Sequence, residues 1–536
     1  MNRVADHLIV APVLLPLLAA AIMLGFGEGR RNLNAAINVA STFALVGIAV
    51  ALLRASDAAP DGVMGVYRLG DWPPPFAIAL VVDRLSALML LLTSLIGCAA
   101  VVFSLAQWHR AGPHFHALVQ FLLMGLNGAF LTGDLFNLFV FFEVLLAASY
   151  GLALHGAGHA RVKAGLHYVV VNLAASLLFL IGVSLIYSVS GTLNMADLAV
   201  RISAVRAEDR ALLETGAGIL GIAFLLKAGM WPLSFWLPMT YSAASPPVAA
   251  MFSILTKLGV YIVLRLWLLL FGDQAGASIH FGGNWIMLGG IATVVFGAIG
   301  ALASQGMARL ASFSVLVSSG TMLAAIGFND VGVTGGALFY LISSTLGIGA
   351  FFLLVELVER GREPGADVLA VTREAYGEDE MTETEEVGVA IPATMAALGL
   401  AFVGCALVIA GLPPLSGFVS KFALLTAALN PSGASPGGPV PPASWALLIV
   451  LILSGLASFI AMTRAGIRVF WASADRSVPR VRLIEMAPVA ILLIFCVAQT
   501  IQAGPIMRFM QATAQSLHAP GNYVRAVLGH NRKDEI

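Results

Sequence analysis

The chain has 536 residues, of which 59% are hydrophobic and 11% charged, with a mean hydropathy of +0.91. So apolar a composition excludes a water-soluble globular protein, because the chain needs lipid as its solvent. Lys+Arg and Asp+Glu both number 29, so the net charge is zero and neither nucleic acid nor a broadly charged partner is expected.

The first apolar stretch, residues 7–27, lacks a strongly basic start and is followed by many more, so it reads as a retained helix rather than a signal peptide. A helix needs about 20 apolar residues to cross the hydrocarbon. Runs of that kind fall near 7–27, 34–53, 84–107, 115–132, 135–155, 164–188, 212–239, 245–271, 284–304, 308–328, 334–358, 389–428, 444–472 and 486–504. The seventh and twelfth are too long and carry prolines, Pro232 and Pro238 in one, Pro413 and Pro414 between Gly411 and Gly417 in the other. Proline removes a backbone donor and clashes with the preceding turn. Paired broken helices in corresponding halves point to an inverted repeat with an ion site at its centre. The fold expected is an all-α polytopic membrane protein of about 14 transmembrane helices, with two inverted five-helix repeats (helices 4–8 and 9–13) and broken helices 7 and 12.

That pattern divides the chain into residues 1–110, 111–272 (first repeat), 273–475 (second repeat) and 476–536. Residues 61–82 alternate and carry turn residues, so a β-hairpin is expected there, on the outer face. An acidic cluster, GEDEMTETEE, lies in the loop 359–387 and reads as a solvated linker; the Pro- and Gly-rich loop 430–443 carries no chemical signal. Pooling alternate loops places Arg30, Arg31, Arg110, Arg161, Lys163, Arg309, Arg360, Arg362, Arg476, Arg480 and Arg482 on one side. Arg54, Arg68, Arg84, Arg201, Arg206 and Arg210 fall on the other. The richer side is expected to be cytoplasmic, with both termini facing outward.

Four charges fall deep inside apolar segments: Glu143, Lys227, Lys257 and Lys421. A charge at the bilayer centre costs about 2.5–3.5 kcal/mol even on the lenient insertion scale. A purely structural design would match acids to bases, whereas here one acid faces three lysines. Burial penalises the ammonium form of a lysine, and a nearby carboxylate opposes that penalty. Changing the distance between Glu143 and Lys227 would therefore drive proton gain and loss, with Lys257 and Lys421 passing the proton on. Asp134 reads as a helix-start carboxylate, and Arg265 as a snorkelling side chain. Arg464 and Arg468 share a helix face, Glu356 and Glu485 read as interfacial, and His109, His114 and His116 as a surface cluster. Cys98, Cys405 and Cys496 lack metal-ligand spacing, so neither disulfides nor iron–sulfur clusters are expected. There is no phosphate-binding loop and no dinucleotide fingerprint, and no cofactor or metal is expected.

The stretches TGDLFNLFVFFEVLLAASYGL, FLLKAG, WPLSFWLP, TYSAASPPVAA, TKLGVYIVLRL and GLPPLSGFVSKF resemble the antiporter-like membrane subunits. That superfamily includes the proton-pumping subunits of NADH:quinone oxidoreductase, membrane-bound hydrogenase subunits and Mrp-type (Mnh/Pha) cation/proton antiporters, and the wording is most similar to the D-type subunits of Mrp antiporters. The resemblance implies a proton-transfer axis, whose positions fall on Glu143, Lys227, Lys257 and Lys421. It implies a secondary transporter component rather than an enzyme. Such a component exchanges H⁺ for Na⁺ or K⁺ within a hetero-oligomeric complex of a bacterial inner membrane. The alternative it leaves open is a proton-pumping subunit of a redox complex.

This sequence departs from the wider pattern. Many relatives read PLHxWLPDA after the helix-7 lysine, where Ser234 and Met239 stand here. Helix 11, FYLISSTLGIGAFFLL, carries Ser343 and Ile348 where histidine and lysine are usual. Serine and threonine hydroxyls at 312, 314, 318, 319, 343, 344 and 345 are then the groups available to bridge Lys257 and Lys421. The Ser343→Ala, Ser344→Ala double variant is expected to slow proton translocation in vesicles, and full activity would remove this bridge.

Overall fold

The computed structural model describes residues 7–76, 78–360, 392–431, 440–471 and 479–529. The acidic cluster GEDEMTETEE and residues 432–439 of the Pro-rich loop lie outside the described residues.

The described residues are helical nearly throughout. In order, the helices are α1 (Ala11–Phe26), α2 (Arg31–Ala58), α3 (Arg84–Ser104), α4 (Phe115–Leu131), α5 (Leu135–Ala153), α6 (His159–Ser190), α7 (Met195–Ile202), α8 (Ala207–Lys227), α9 (Trp236–Ala243) and α10 (Pro246–Leu270). There follow α11 (Gly283–Ala303), α12 (Met307–Phe328), α13 (Val331–Glu359), α14 (Ala393–Ala410), α15 (Ser416–Leu429), α16 (Pro442–Gly466), α17 (Leu483–Ile501), α18 (Ala503–His518) and α19 (Gly521–Leu528). Among the described residues, 11 helices are long and apolar enough to cross a membrane. Ala11–Phe26, Phe115–Leu131 and Ser416–Leu429 are shorter apolar helices.

Burial separates the helices into an inner and an outer set. α10 is buried at every residue after Pro246, and α12 and α13 nearly throughout. α6 keeps a stripe of Leu166, Val170, Leu173 and Leu177 exposed at helical spacing, the face expected against lipid. The innermost helices are those that carry Lys257 and the hydroxyls facing it.

The expected hairpin forms from β1 (Val63–Arg68), paired antiparallel with β2 (Ala79–Asp83), Val66 opposite Val81. The Gly133 N–H bonds the Ala79 carbonyl at 2.8 Å, which seats the hairpin at the start of α5. β2 delivers Asp83 to the N-cap of α3, where its side chain accepts from the Ser86 N–H at 2.8 Å.

Asp83 corrects the expectation for Arg265. That guanidinium does not snorkel: it is buried and holds both carboxylate oxygens of Asp83, Nη2 at 2.8 Å from Oδ1 and Nη1 on Oδ2. Nη2 also reaches the Tyr261 hydroxyl at 3.1 Å, and Tyr523 of α19 lies 5.2 Å from the guanidinium carbon. The partner comes from 182 residues away, so the pattern of α10 alone could not reveal it. The histidine cluster is also not at the surface as a whole. His109 and His116 are buried, with His116 Nδ1 2.8 Å from the Asn38 amide of α2; only His114 is exposed, against Glu28 at 3.3 Å. Arg360 links Glu356 at 2.7 Å to Glu485 at 2.6 Å, so these carboxylates tie α13 to α17. The short helices α7, α18 and α19 lie outside the expected spans, because eight- and 16-residue amphipathic segments carry no spanning signal.

Arg265→Ala is expected to cost about 3–5 kcal/mol, since it strands a buried carboxylate. Replacing both partners by apolar residues of similar volume (Asp83→Leu with Arg265→Met) should cost less. Unfolding of the detergent-solubilised protein measures both.

Candidate functional site

Two helix breaks organise the site. α8 ends at Lys227, and Gly229 takes the left-handed conformation (φ +72°). The Met230 N–H then bonds the Leu225 carbonyl at 2.9 Å and the Gly229 N–H the Leu226 carbonyl at 3.1 Å, a Schellman closure. The chain re-enters helix at Trp236. The freed backbone groups are taken up by neighbouring helices: the Trp231 N–H donates to Thr293 Oγ1 of α11 at 2.8 Å, and the Ser319 hydroxyl of α12 donates to the Ala228 carbonyl. The second break follows the same chemistry. α14 ends at Ala410, Gly411 is left-handed (φ +79°), and α15 starts at Ser416.

Lys421 lies within α15, past its break, whereas Lys227 precedes its own. Both nevertheless meet the C-terminal end of a helix. Lys227 is the last residue of α8, and Lys421 Nζ donates to the carbonyls of Ala410 (2.8 Å) and Ile409 (3.4 Å) at the end of α14. A helix C-terminus carries partial negative charge, which favours an ammonium group there.

No hydrogen bond or ion pair joins the four residues expected to form the site to one another. Glu143 is half-buried on α5 and Lys227 is buried. Lys227 Nζ lies 4.7 Å from the centre of the Phe142 ring, and Phe142 touches Phe224 of α8 at 6.0 Å between ring centres. The expected contact between these helices is therefore aromatic. Glu143 Oε1 and Lys227 Nζ are both buried without a hydrogen-bond partner among the described residues, and the two form no ion pair. Lys257 lies in the middle of α10, buried, and donates to the Ser318 hydroxyl of α12. Its helix passes directly beneath the first break: a methyl group on Gly259 would lie 2.6 Å from the Ala228 nitrogen. Lys421 lies on α15, in the second half of the chain.

Of the hydroxyls expected between Lys257 and Lys421, most satisfy their own helices. Ser312 donates to Ala308, Ser314 to Leu310, Ser344 to Leu341 and Thr345 to Leu341. Ser318, Ser319 and Ser343 reach across: Ser343 Oγ is 2.9 Å from Ser416 Oγ at the start of α15. Sequence reasoning missed Phe142 and Tyr340, whose hydroxyl faces Ser318 and Thr321. Neither stood out among neighbouring aromatics. Among the described residues no group of three His, Cys, Asp or Glu is arranged to hold a metal ion.

This arrangement separates two uses of charge. Other buried charges are paired, Asp83 with Arg265, Glu485 with Arg360 and Asp197 with Arg201 at 3.0 Å, while Asp330 caps α13 by accepting from the Val333 N–H at 2.9 Å. Lys227, Lys257 and Lys421 meet an aromatic ring, a hydroxyl and backbone carbonyls instead. Gly259→Ala is expected to destabilise by about 1–3 kcal/mol through overpacking. It should also displace Lys227, so that transport falls further than the unfolding curve alone accounts for.

A family model described as "NADH:quinone oxidoreductase/Mrp antiporter, TM" matches residues 132–434. The chain is 59% identical over 530 residues to the D-type subunit of a probable K(+)/H(+) antiporter of Rhizobium meliloti, covering 98% of both chains. It is 33% identical over 532 residues to the D-type subunit of an Na(+)/H(+) antiporter of Alkalihalophilus pseudofirmus, covering 98% of this chain and 99% of the other. The fold is similar to a chain in the structure of the Mrp complex from Dietzia sp., with a TM-score of 0.81, 26% identity and coverage of 99% and 100%. The chain thus belongs to the NADH:quinone oxidoreductase/Mrp antiporter membrane-subunit family, on its D-type branch.

Proposed function

We propose that this chain is the proton-translocating D-type component of a hetero-oligomeric monovalent cation/proton antiporter in a bacterial inner membrane. The observation that carries the reading is that the buried lysines lack an ion-pair partner among the described residues. Arginines pair with the buried carboxylates of Asp83, Asp197 and Glu485, while among the described residues Lys227, Lys257 and Lys421 have no carboxylate partner at bonding distance. A group that only holds helices together gains by pairing; one that must gain and lose a proton gains by meeting acceptors it can leave.

In this reading Glu143 and Lys227 form the first element of the axis, Lys257 the second and Lys421 the last. Displacing the Glu143 carboxylate relative to Lys227 alters the stability of the lysine proton and starts the transfer. α8–α9 and α14–α15 each count as one divided crossing, giving fourteen crossings with α7, α18 and α19 as additions. Residues 111–272 and 273–475 form the two inverted repeats, followed by a C-terminal segment from 476. The bias of Arg and Lys among the loops favours both termini on the outer face. The 59% identity to a protein named for K⁺/H⁺ exchange favours K⁺ as the cation exchanged.

The test is cation-dependent dissipation of a pH gradient in vesicles carrying the whole complex. Lys227→Ala and Glu143→Ala are each expected to assemble normally and to lose transport, K⁺ supporting the wild-type exchange better than Na⁺. Intact transport in Lys227→Ala with reduced assembly would favour a scaffold instead.

A further inference from the structure

The weakest step of the proposed axis is the passage from the first half to the second. Lys257 donates to Ser318 Oγ, and that serine is fully buried on α12. Across from it stands Tyr340 of α13, 5% exposed, with its hydroxyl facing both Ser318 and Thr321. Thr321 spends its own hydrogen on the Val317 carbonyl at 2.8 Å, so towards Tyr340 it can only accept. One turn further along α13, Ser343 lies 2.9 Å from Ser416, the first residue of α15. Residues three apart on a helix share a face, so Tyr340 and Ser343 are neighbours along α13. Ser416 and the Lys421 ammonium group both border the break at 411–415. Ile348, two turns beyond Tyr340, carries no ionisable group.

We infer that the Tyr340 hydroxyl relays protons from the Lys257–Ser318 pair to the Ser343–Ser416 pair, and so joins the two halves of the axis. The inference rests on the proposed proton-translocating function. Each step conserves protons. The Lys257 ammonium gives one proton to Ser318 Oγ, which passes its own to the Tyr340 oxygen. That oxygen passes its proton, directly or through one water molecule, to Ser343 and Ser416. The Lys421 amine accepts the last. Every hydroxyl ends with one proton, and the hydroxyls rotate back before the next transfer. Lys257 ends neutral and Lys421 charged.

Tyr340→Phe keeps the ring and removes only the oxygen. In vesicles carrying the whole antiporter complex, this variant is expected to assemble normally and to exchange protons at least tenfold more slowly. A ring-fluorinated tyrosine at 340, of nearly the same shape but with a more acidic hydroxyl, should restore the rate and shift the pH profile of exchange to lower pH. Wild-type exchange by Tyr340→Phe overturns the relay, as does a fluorinated chain whose pH profile does not move. If Tyr340→Phe impairs assembly, Ser318→Ala decides. It removes one buried hydroxyl and carries the same expected slowing, and unchanged exchange in it overturns the relay. Lys257→Ala separates the two readings. Its loss of transport alongside an active Tyr340→Phe chain removes the relay alone, whereas transport intact in Lys257→Ala removes the axis itself.

Discussion

A backbone broken inside hydrocarbon must have its freed donors and acceptors satisfied by protein, because no lipid group can do so. The rest of this structure is arranged around meeting that demand twice. At the first break Thr293 and Ser319 supply side-chain partners from α11 and α12. At the second, Lys421 supplies an ammonium group to the last carbonyls of α14. Left-handed glycines at 229 and 411 allow the chain to turn there. α10 can pass under the first break only because Gly259 has no side chain. The same features that make each break tolerable bring a lysine to a helix C-terminus, so the constraint on the backbone and the placement of charge are one problem.

The choice between arginine and lysine follows from the same chemistry. A guanidinium stays protonated under all ordinary conditions and presents a planar fork suited to a carboxylate, while an ammonium group is a point charge that burial can neutralise. Arg265 and Arg360 therefore serve as fixed ties, Arg265 joining the hairpin, α10 and α19, and Arg360 joining α13 to α17. Lysine occupies the positions with no fixed counter-charge. Arg265 lies eight residues beyond Lys257 on α10, so one helix carries a carboxylate-bound guanidinium and a hydroxyl-bound ammonium group two turns apart.

The spans and their two interruptions were legible because apolar length and proline are strong local signals. The four intramembrane charges were legible because a charge in oil is conspicuous. What could not be read were contacts made across long sequence separation. Asp83 and Arg265 are such a case, and so is the burial of His116 against Asn38, 78 residues away. Nor does a sequence say whether a buried hydroxyl turns to its own helix or across to another. Ser312, Ser314 and Thr345 bond back to the preceding turn, whereas Ser318 and Ser343 reach out, although all five looked alike in the sequence. Tyr340 was hidden for a related reason, since an aromatic in a buried helix is ordinarily core.

The two halves of the proposed axis are built differently, and the difference bears on where a transport cycle would be controlled. Lys421 is held by two backbone carbonyls, which cannot move without unwinding the end of α14. Lys257 is held by one serine on a helix buried nearly throughout. Lys227 rests against the face of Phe142, and Glu143 is the adjacent residue on α5, only half-buried. A cation over an aromatic ring gains only about 0.5–2 kcal/mol, a contact that a rotamer change can make or break. A carboxylate at the rim of the same site can swing without disturbing the backbone. Control of proton affinity by side-chain motion is thus available at Glu143 and Lys227 and expensive at Lys421. On that physical ground the proposed axis would switch in its first half, with the second half a fixed conductor behind it.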